Sequence, residues 1–198
     1  MVFEFEDEEQ KKYDRLTKAI RGSAAKLGFE APETIALLLR RSRLSNASPK
    51  RVEVTLRIVA RHKGRRILIF HEDIAACEVI ANALKHFGIS AEVFHSKVPL
   101  KARVETLHDY RNGRIQVLVS CRALDEGFNV PETEIGIIAA STATHRQRVQ
   151  RLGRILRPSK GKEGAIIYSI VGAQAEIRRL AEEAQTLEGV AEVTWSKA

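Results

Sequence analysis

The sequence predicts an α/β fold with a mostly parallel sheet covered by helices on both faces, and two observations predict it. From Arg66 onward, short runs rich in β-branched residues alternate with amphipathic helical stretches. Those strand runs are continuously apolar, as strands buried on both faces must be. A chain of 198 residues can bury one good core and a small appendage.

The elements follow in order. Residues 8–21 read as a polar helix with Tyr13, Leu16 and Ile20 at helical spacing. Pro32 to Arg41 reads as a second helix, carrying Ile35, Leu37, Leu38 and Leu39. Ser42 to Pro49, rich in Ser and Asn, reads as a connector. A third helix starts at Lys50 or Val52, runs to His62 and is stopped by Gly64. The predicted strands are Ile67–Phe70, Ala91–Phe94, Val117–Ser120, Ile135–Ala139 and Ala165–Val171. Helices over Asp73–Phe87, Leu100–Arg111 and Thr144–Leu156 lie between them. In the first of these, Ile74, Cys77, Ile80, Ala81, Leu84 and Phe87 form one apolar stripe, and Gly88 stands as its stop. Pro99 opens the second, where a missing N–H costs nothing. A last helix covers Gln174 to Leu187, and Val190 to Trp195 reads as a short strand or docking segment in which Trp195 packs or meets another piece. The expected division is a helical lead-in over 1–49, either a linker or a packing brace, and a main domain over 50–198.

Composition narrows the function classes. No run of about eighteen apolar residues exists, so no membrane span is expected. The N-terminus, Met1-Val2-Phe3-Glu4-Phe5-Glu6-Asp7, is acidic and does not read as a signal peptide. Cys77 and Cys121 sit far apart in sequence with no metal-ligand partner at short spacing. They read as reduced, buried thiols, with no disulfide expected, and the expected location is cytoplasmic or nucleoid-associated, or nuclear in a eukaryote. His62, His71, His86 and His108 are too scattered to argue a site, and His71 reads as a satisfied loop histidine.

The formal net charge of +8 favours a polyanionic partner. Residues 40–66 carry Arg40, Arg41, Arg43, Lys50, Arg51, Arg57, Arg61, Lys63, Arg65 and Arg66 against one acid, Glu53. Residues 146–162 carry Arg146, Arg148, Arg151, Arg154, Arg157, Lys160 and Lys162 with no acid. Such clusters give salt-dependent attraction to phosphate backbones; solvated helix faces and loop ends are the alternative.

The run Gln150-Arg151-Leu152-Gly153-Arg154-Ile155-Leu156-Arg157 is the most specific stretch. On a helix, Gln150, Arg154 and Arg157 share one face, while Val149, Leu152 and Leu156 share another. With the apolar face docked, Arg154 and Arg157 are held out together as two permanent charges with planar forks of donors. Held so, they can neutralise charge on a transferring phosphoryl group. A solvated basic helix face is the alternative.

This run, Q-R-x-G-R-x-x-R, resembles motif VI of superfamily 2 helicases and translocases. Leu124-Asp125-Glu126-Gly127-Phe128-Asn129-Val130-Pro131 is similar to their motif V, and Arg66-Ile67-Leu68-Ile69-Phe70 to their motif IV. Val93-Phe94-His95-Ser96, then Arg103, then Tyr110-Arg111-Asn112-Gly113 follow the family's order between them. The similarity covers residues 50–172, and Gln150 to Lys162 looks most like the XPB-type DNA repair helicases.

The resemblance implies a three-layer RecA-like lobe, the second of two between which ATP and Mg²⁺ bind. It implies that Arg154 and Arg157 are arginine fingers, that Gln150 couples nucleotide to the interface, and that Arg151 ties the helix to neighbouring loops. It places Gly127, Glu126 and Asn129 near the nucleotide; Asn129 stands where many relatives have a ribose-binding aspartate, which keeps the acceptor and loses the charge. Ser120, Cys121 and Arg122, with His95, Ser96 and Arg103, are implied as contacts to a nucleic-acid backbone, Ser120 being a better donor than Cys121. The first lobe's G-x-x-x-x-G-K-[ST] and Asp-Glu-x-His motifs do not occur in this sequence; Gly161-Lys162 is followed by Glu163. The expectation is a second lobe, inactive alone, whose partners are a first lobe and DNA, RNA not being excluded. Residues 1–49 are implied as a reduced form of the helical insertion with which XPB-like enzymes grip DNA, a packing brace being the alternative. A basic binding module without motor activity, a restriction-type translocase subunit and a protein-interaction scaffold stand as rivals.

Overall fold

The computed structural model describes residues 1–121, 130–140, 165–185 and 192–198. The elements are α1 (Asp7–Leu27), α2 (Pro32–Asn46), α3 (Pro49–Arg61), β1 (Ile67–His71), α4 (Ile74–His86), β2 (Ala91–Phe94), α5 (Leu100–Arg111), β3 (Val117–Cys121), β4 (Ile135–Ile138), β5 (Ile166–Ser169) and α6 (Gln174–Gln185). The five strands form one sheet in the order β2-β3-β1-β4-β5, parallel throughout. β1 is the central strand, with Ile67 paired to Val117 on one side and Ile135 on the other.

The alternation of the strands sorts the core into two layers. Ile67, Ile69, Val117, Val119, Ile135 and Ile137 face α3 and α4, meeting Ile58, Cys77, Ile80 and Leu84. Leu68, Phe70, Leu118 and Ile138 face the other way, toward Tyr110 of α5 and toward Val130. All five residues of β1 and all five of β3 are buried, as continuous apolar runs required. The three-layer α/β expectation is met. Among the described residues, no helix is long and apolar enough to cross a membrane.

Local chemistry sets the boundaries. Asp73 caps α4 by accepting the Ala76 N–H at 2.9 Å. Prolines occupy the first turns of α2 and α3. At the end of α5, the Arg66 guanidinium donates to the Tyr110 and Arg111 carbonyls at 2.6 and 2.7 Å, satisfying acceptors the last turn leaves open.

Three expectations are corrected. Ser42–Pro49 is not a connector: α2 runs on through Asn46, because Ser45 and Asn46 are buried and hydrogen-bonded to other elements rather than solvated. α1 extends to Leu27, its added turn lying along α2 where the Ser23 and Thr34 hydroxyls meet at 2.7 Å. Trp195 is not packed on the lobe: it stays 46% exposed, which leaves the reading that it meets another piece. The tail is held instead by backbone: Val2 N–H donates to Ser196 O and Ala198 N–H to Val2 O, both at 2.8 Å, and Val2 also bridges Val171. The expected helix over Thr144–Leu156 and the end of the last helix beyond Gln185 lie outside the described residues.

Gly113 and Gly64 both adopt positive φ, +80° and +83°. A Cβ on Gly64 meets nothing within 4 Å, whereas one on Gly113 would lie 2.6 Å from Arg66 Nη2. Gly64→Ala is therefore expected to cost about 1–2 kcal/mol of backbone strain. Gly113→Ala should cost more, since it also expels the α5 cap. In an Arg66→Ala background the two alanine substitutions should cost the same by urea denaturation; a surplus persisting at Gly113 refutes the clash.

Candidate nucleic-acid interface at the carboxyl edge of the sheet

Ligands of open parallel sheets bind outside the carboxyl ends of the strands. Here those ends carry His71 on β1, His95 just past β2, and Ser120 and Cys121 on β3. Two more carbonyls, Ala139 and Ile170, lie just past the ends of β4 and β5. The edge divides into a side locked by internal polar contacts and a side with unmet polar atoms.

The locked side centres on Arg51, in the first turn of α3 and 2% exposed. Its Nε donates to Ser45 O at 2.8 Å. Nη1 donates to Ala139 O at 2.8 Å and Ile170 O at 2.6 Å. Nη2 donates to Ser45 Oγ at 3.0 Å and forms an ion pair with Glu176 of α6 at 2.5–2.7 Å. The Phe3 ring lies 5.2 Å from its Cζ. Every donor of the fork is used, which is the condition for burying a permanent charge. Burial alone would raise the Glu176 pKa; the Arg51 charge, the Ser45 hydroxyl and the Gly172 N–H outweigh it and hold it below the usual carboxylate range.

Arg51 therefore leaves the basic cluster drawn from sequence. Others in that cluster are also engaged: Arg41 with Thr17 and over Tyr13, Lys50 and Arg57 with Glu53, Arg65 with Glu134, and Arg66 with the end of α5. Arg40, Arg43, Arg61 and Lys63 stay exposed. Fewer cations face a polyanion than the sequence count suggests.

His71 is no loop residue. It ends β1, is 2% exposed, and accepts the Asp73 N–H on Nδ1 at 3.0 Å, so its proton sits on Nε2. Nε2 is buried, and a hydrogen bond to the Asn46 backbone favours its proton. Burial, reinforced by the Arg51 charge, lowers its pKa.

On the other side of the edge, the His95 ring is buried with Nε2 3.0 Å from Glu78 Oε1, and Nδ1 has no partner. Ser120 is fully buried, its Oγ also unpartnered, in register with Phe94 and Phe70 of the flanking strands. The Arg103 guanidinium lies 5.8 Å over the Phe94 ring, and Ser96 is exposed. Phe94 thus gathers Ser120 and Arg103 on one layer. Cys121 points to the opposite layer, where its thiol hydrogen-bonds with Cys77. Sequence separation hid that contact; the pairing of His71 with Cys121, and the start of α4 three residues after His71, create it. Both thiols are buried, as expected. Arg122, Glu126, Gly127 and Asn129, and Gln150, Arg151, Arg154 and Arg157, lie outside the described residues. Among the described residues, no group of three or more His, Cys, Asp or Glu side chains could hold a metal ion.

Residues 50–159 match the family model described as "Helicase conserved C-terminal domain". The chain is 28% identical over 191 residues to a "DNA 3'-5' translocase XPB2" of Sulfurisphaera tokodaii, covering 87% of this chain and 42% of that protein. It thus spans less than half the length of that relative. Among solved structures, it is similar to the Sulfolobus solfataricus SWI2/SNF2 ATPase core domain (TM-score 0.70, 14% identity, 98% of this chain and 44% of that one). It is also similar to the C-terminal domain of the DEAD-box protein Dbp5 (TM-score 0.66, 19% identity, 77% of this chain and 86% of that one).

Two outcomes are expected of the locked side. Arg51→Met leaves Glu176 buried without its cation and should cost about 3–5 kcal/mol in urea denaturation. His71 has a folded pKa below its ordinary 6.5, so its contribution is present above that value and is lost as pH falls through the folded pKa. His62, also lowered, chiefly by burial, acts with the same sign. Between about pH 7.5 and about pH 5.5, His71→Asn should lose stability less steeply than the parent; an unchanged slope refutes the assignment.

Proposed function

Because the chain belongs to the helicase conserved C-terminal domain family, as an XPB-like second lobe of superfamily 2, we propose that it works in an ATP-dependent DNA helicase or translocase of repair or remodelling. The family match over residues 50–159 carries this reading, since that span includes Gln150, Arg154 and Arg157 in their Q-R-x-G-R-x-x-R spacing.

In this reading a first lobe holds ATP and Mg²⁺, which supply the transferring phosphoryl group and its charge neutralisation. This chain contributes cations and donors. Arg154 and Arg157 stabilise the charge on the phosphoryl oxygens, with Gln150 and Arg151 orienting them. Glu126, Gly127 and Asn129 line the nucleotide's ribose side. Ser120, Arg122, His95, Ser96 and Arg103, with a weaker contribution from Cys121, form the backbone track. The unmet Oγ of Ser120 and Nδ1 of His95 support that assignment, because buried polar atoms ordinarily have partners. Both are buried here, so a strand reaching them requires local opening at the edge.

Residues 1–49 serve as a brace rather than a grip. Asn46 donates to Glu72 and Ser45 to Glu176 at 2.6 Å, so the polar end of α2 is spent on the lobe, while Ser48 donates to Glu9 of α1 at 3.1 Å and ties the lead-in to itself. The site of action follows the DNA, in the cytoplasm or nucleoid, or in a nucleus.

The test is ATPase rate with and without duplex or single-stranded DNA. This chain alone should be silent. Joined to a first lobe it should be DNA-stimulated, and Arg154→Ala should lower that rate by about a hundredfold or more. A joined form that hydrolyses nothing sinks the motor reading. A mutant that keeps its rate sinks the finger. Salt-dependent DNA binding indifferent to Arg154 would then favour the basic binding module.

A further inference from the structure

The chain's two cysteines lie 44 positions apart in sequence and share one buried site. Cys77 stands one turn into α4; its N–H closes the helix's first bond to Asp73 O at 3.1 Å. Cys121 is the last residue of β3 and pairs in register with His71, two residues before that same Asp73. The two elements therefore bring both thiols to the layer between α4 and the sheet, in hydrogen-bonding contact.

We propose that Cys77 and Cys121 form an oxidative modification site, at which a two-electron oxidant such as a peroxide converts the thiol pair to a disulfide stapling α4 to the end of β3. The reaction starts at Cys121, which keeps 5% exposure while Cys77 has none. The Cys121 sulfur attacks one peroxide oxygen, the O–O bond breaks, and water leaves, giving a sulfenic acid. The Cys77 sulfur then attacks the Cys121 sulfur, the S–O bond breaks, and the thiol proton departs with a second water. Two thiols are oxidised and one peroxide is reduced to two waters.

Burial sets the rate. It pushes the Cys77 thiol far above its ordinary range, with the Cys121 thiol adding to the effect, so little Cys77 thiolate is on hand for the second step. The site responds to sustained oxidant rather than to a brief pulse, and once formed the bond is shielded from exchange with outside thiols. Its position matters because β3 runs straight into residues 122–129, which carry Glu126, Gly127 and Asn129. That last consequence alone rests on the proposed function; formation of the bond does not.

The experiment treats the native chain with hydrogen peroxide or diamide and follows intact mass and peptide maps. The expected result is a monomer lighter by two hydrogens, with the Cys77 and Cys121 peptides linked, and restored by dithiothreitol once guanidinium has opened the fold. Cys77→Ala and Cys121→Ala should each lose the link and, with peroxide, leave the remaining thiol unmodified or oxygenated. A native chain that stays at its starting mass, that gains oxygen without a link, or that links only in guanidinium overturns the proposal. None of these readouts requires ATPase activity, so failure here is separable from failure of the motor reading.

Discussion

One buried cation organises this lobe. Arg51 cannot shed its proton, so the structure must surround it with acceptors or leave it in water. The acceptors come from α2, the ends of β4 and β5, and α6, and the fork geometry dictates their mutual placement. Apolar packing holds the two layers on the sheet but tolerates small slips; a saturated guanidinium does not. The lead-in helices and the carboxyl edge are thus one polar unit, and the ion pair with Glu176 is better read as fixing register than as adding net stability.

The same accounting changes the electrostatic picture. A basic stretch in sequence is a sum over residues that face different ways once folded. Arg66 is committed to a helix end, Arg41 to an aromatic ring and hydroxyl, and Arg51 to the core. What solvent meets in that region is a smaller set with Arg40, Arg43, Arg61 and Lys63 as members. A count of cations therefore overstates how many guanidinium and ammonium donors are left to pair with a polyanion in this part of the chain.

Much of the architecture was legible because its signals are local. Strand and helix periods placed β1 through β5 to within a residue or two at most ends, and Gly64, Gly88, Pro99 and Asp73 marked boundaries by their own backbone or capping chemistry. The family was legible because motif order survives in a linear string. What stayed hidden depends on distant partners. Ser45 and Asn46 looked like connector residues because their acceptors, Glu176 and Glu72, are elsewhere in the sequence. His71 looked like a loop residue because its burial comes from elements packed around it. The Cys77–Cys121 contact arises from strand pairing, which no local pattern encodes.

The acceptors of Arg51 also impose an order of events. Ser45 is six residues away, but Ala139 and Ile170 lie 88 and 119 residues downstream, and Glu176 lies 125. On a ribosome, α2 and α3 emerge long before the groups that make burial of this charge tolerable. Central strand β1 waits likewise for β3 and β4. The junction must stay hydrated until α6 has emerged, then close late as one cooperative event. A growing chain released early would carry this arginine open to solvent and its apolar strands unpaired, a form that quality-control machinery can tell from the finished lobe.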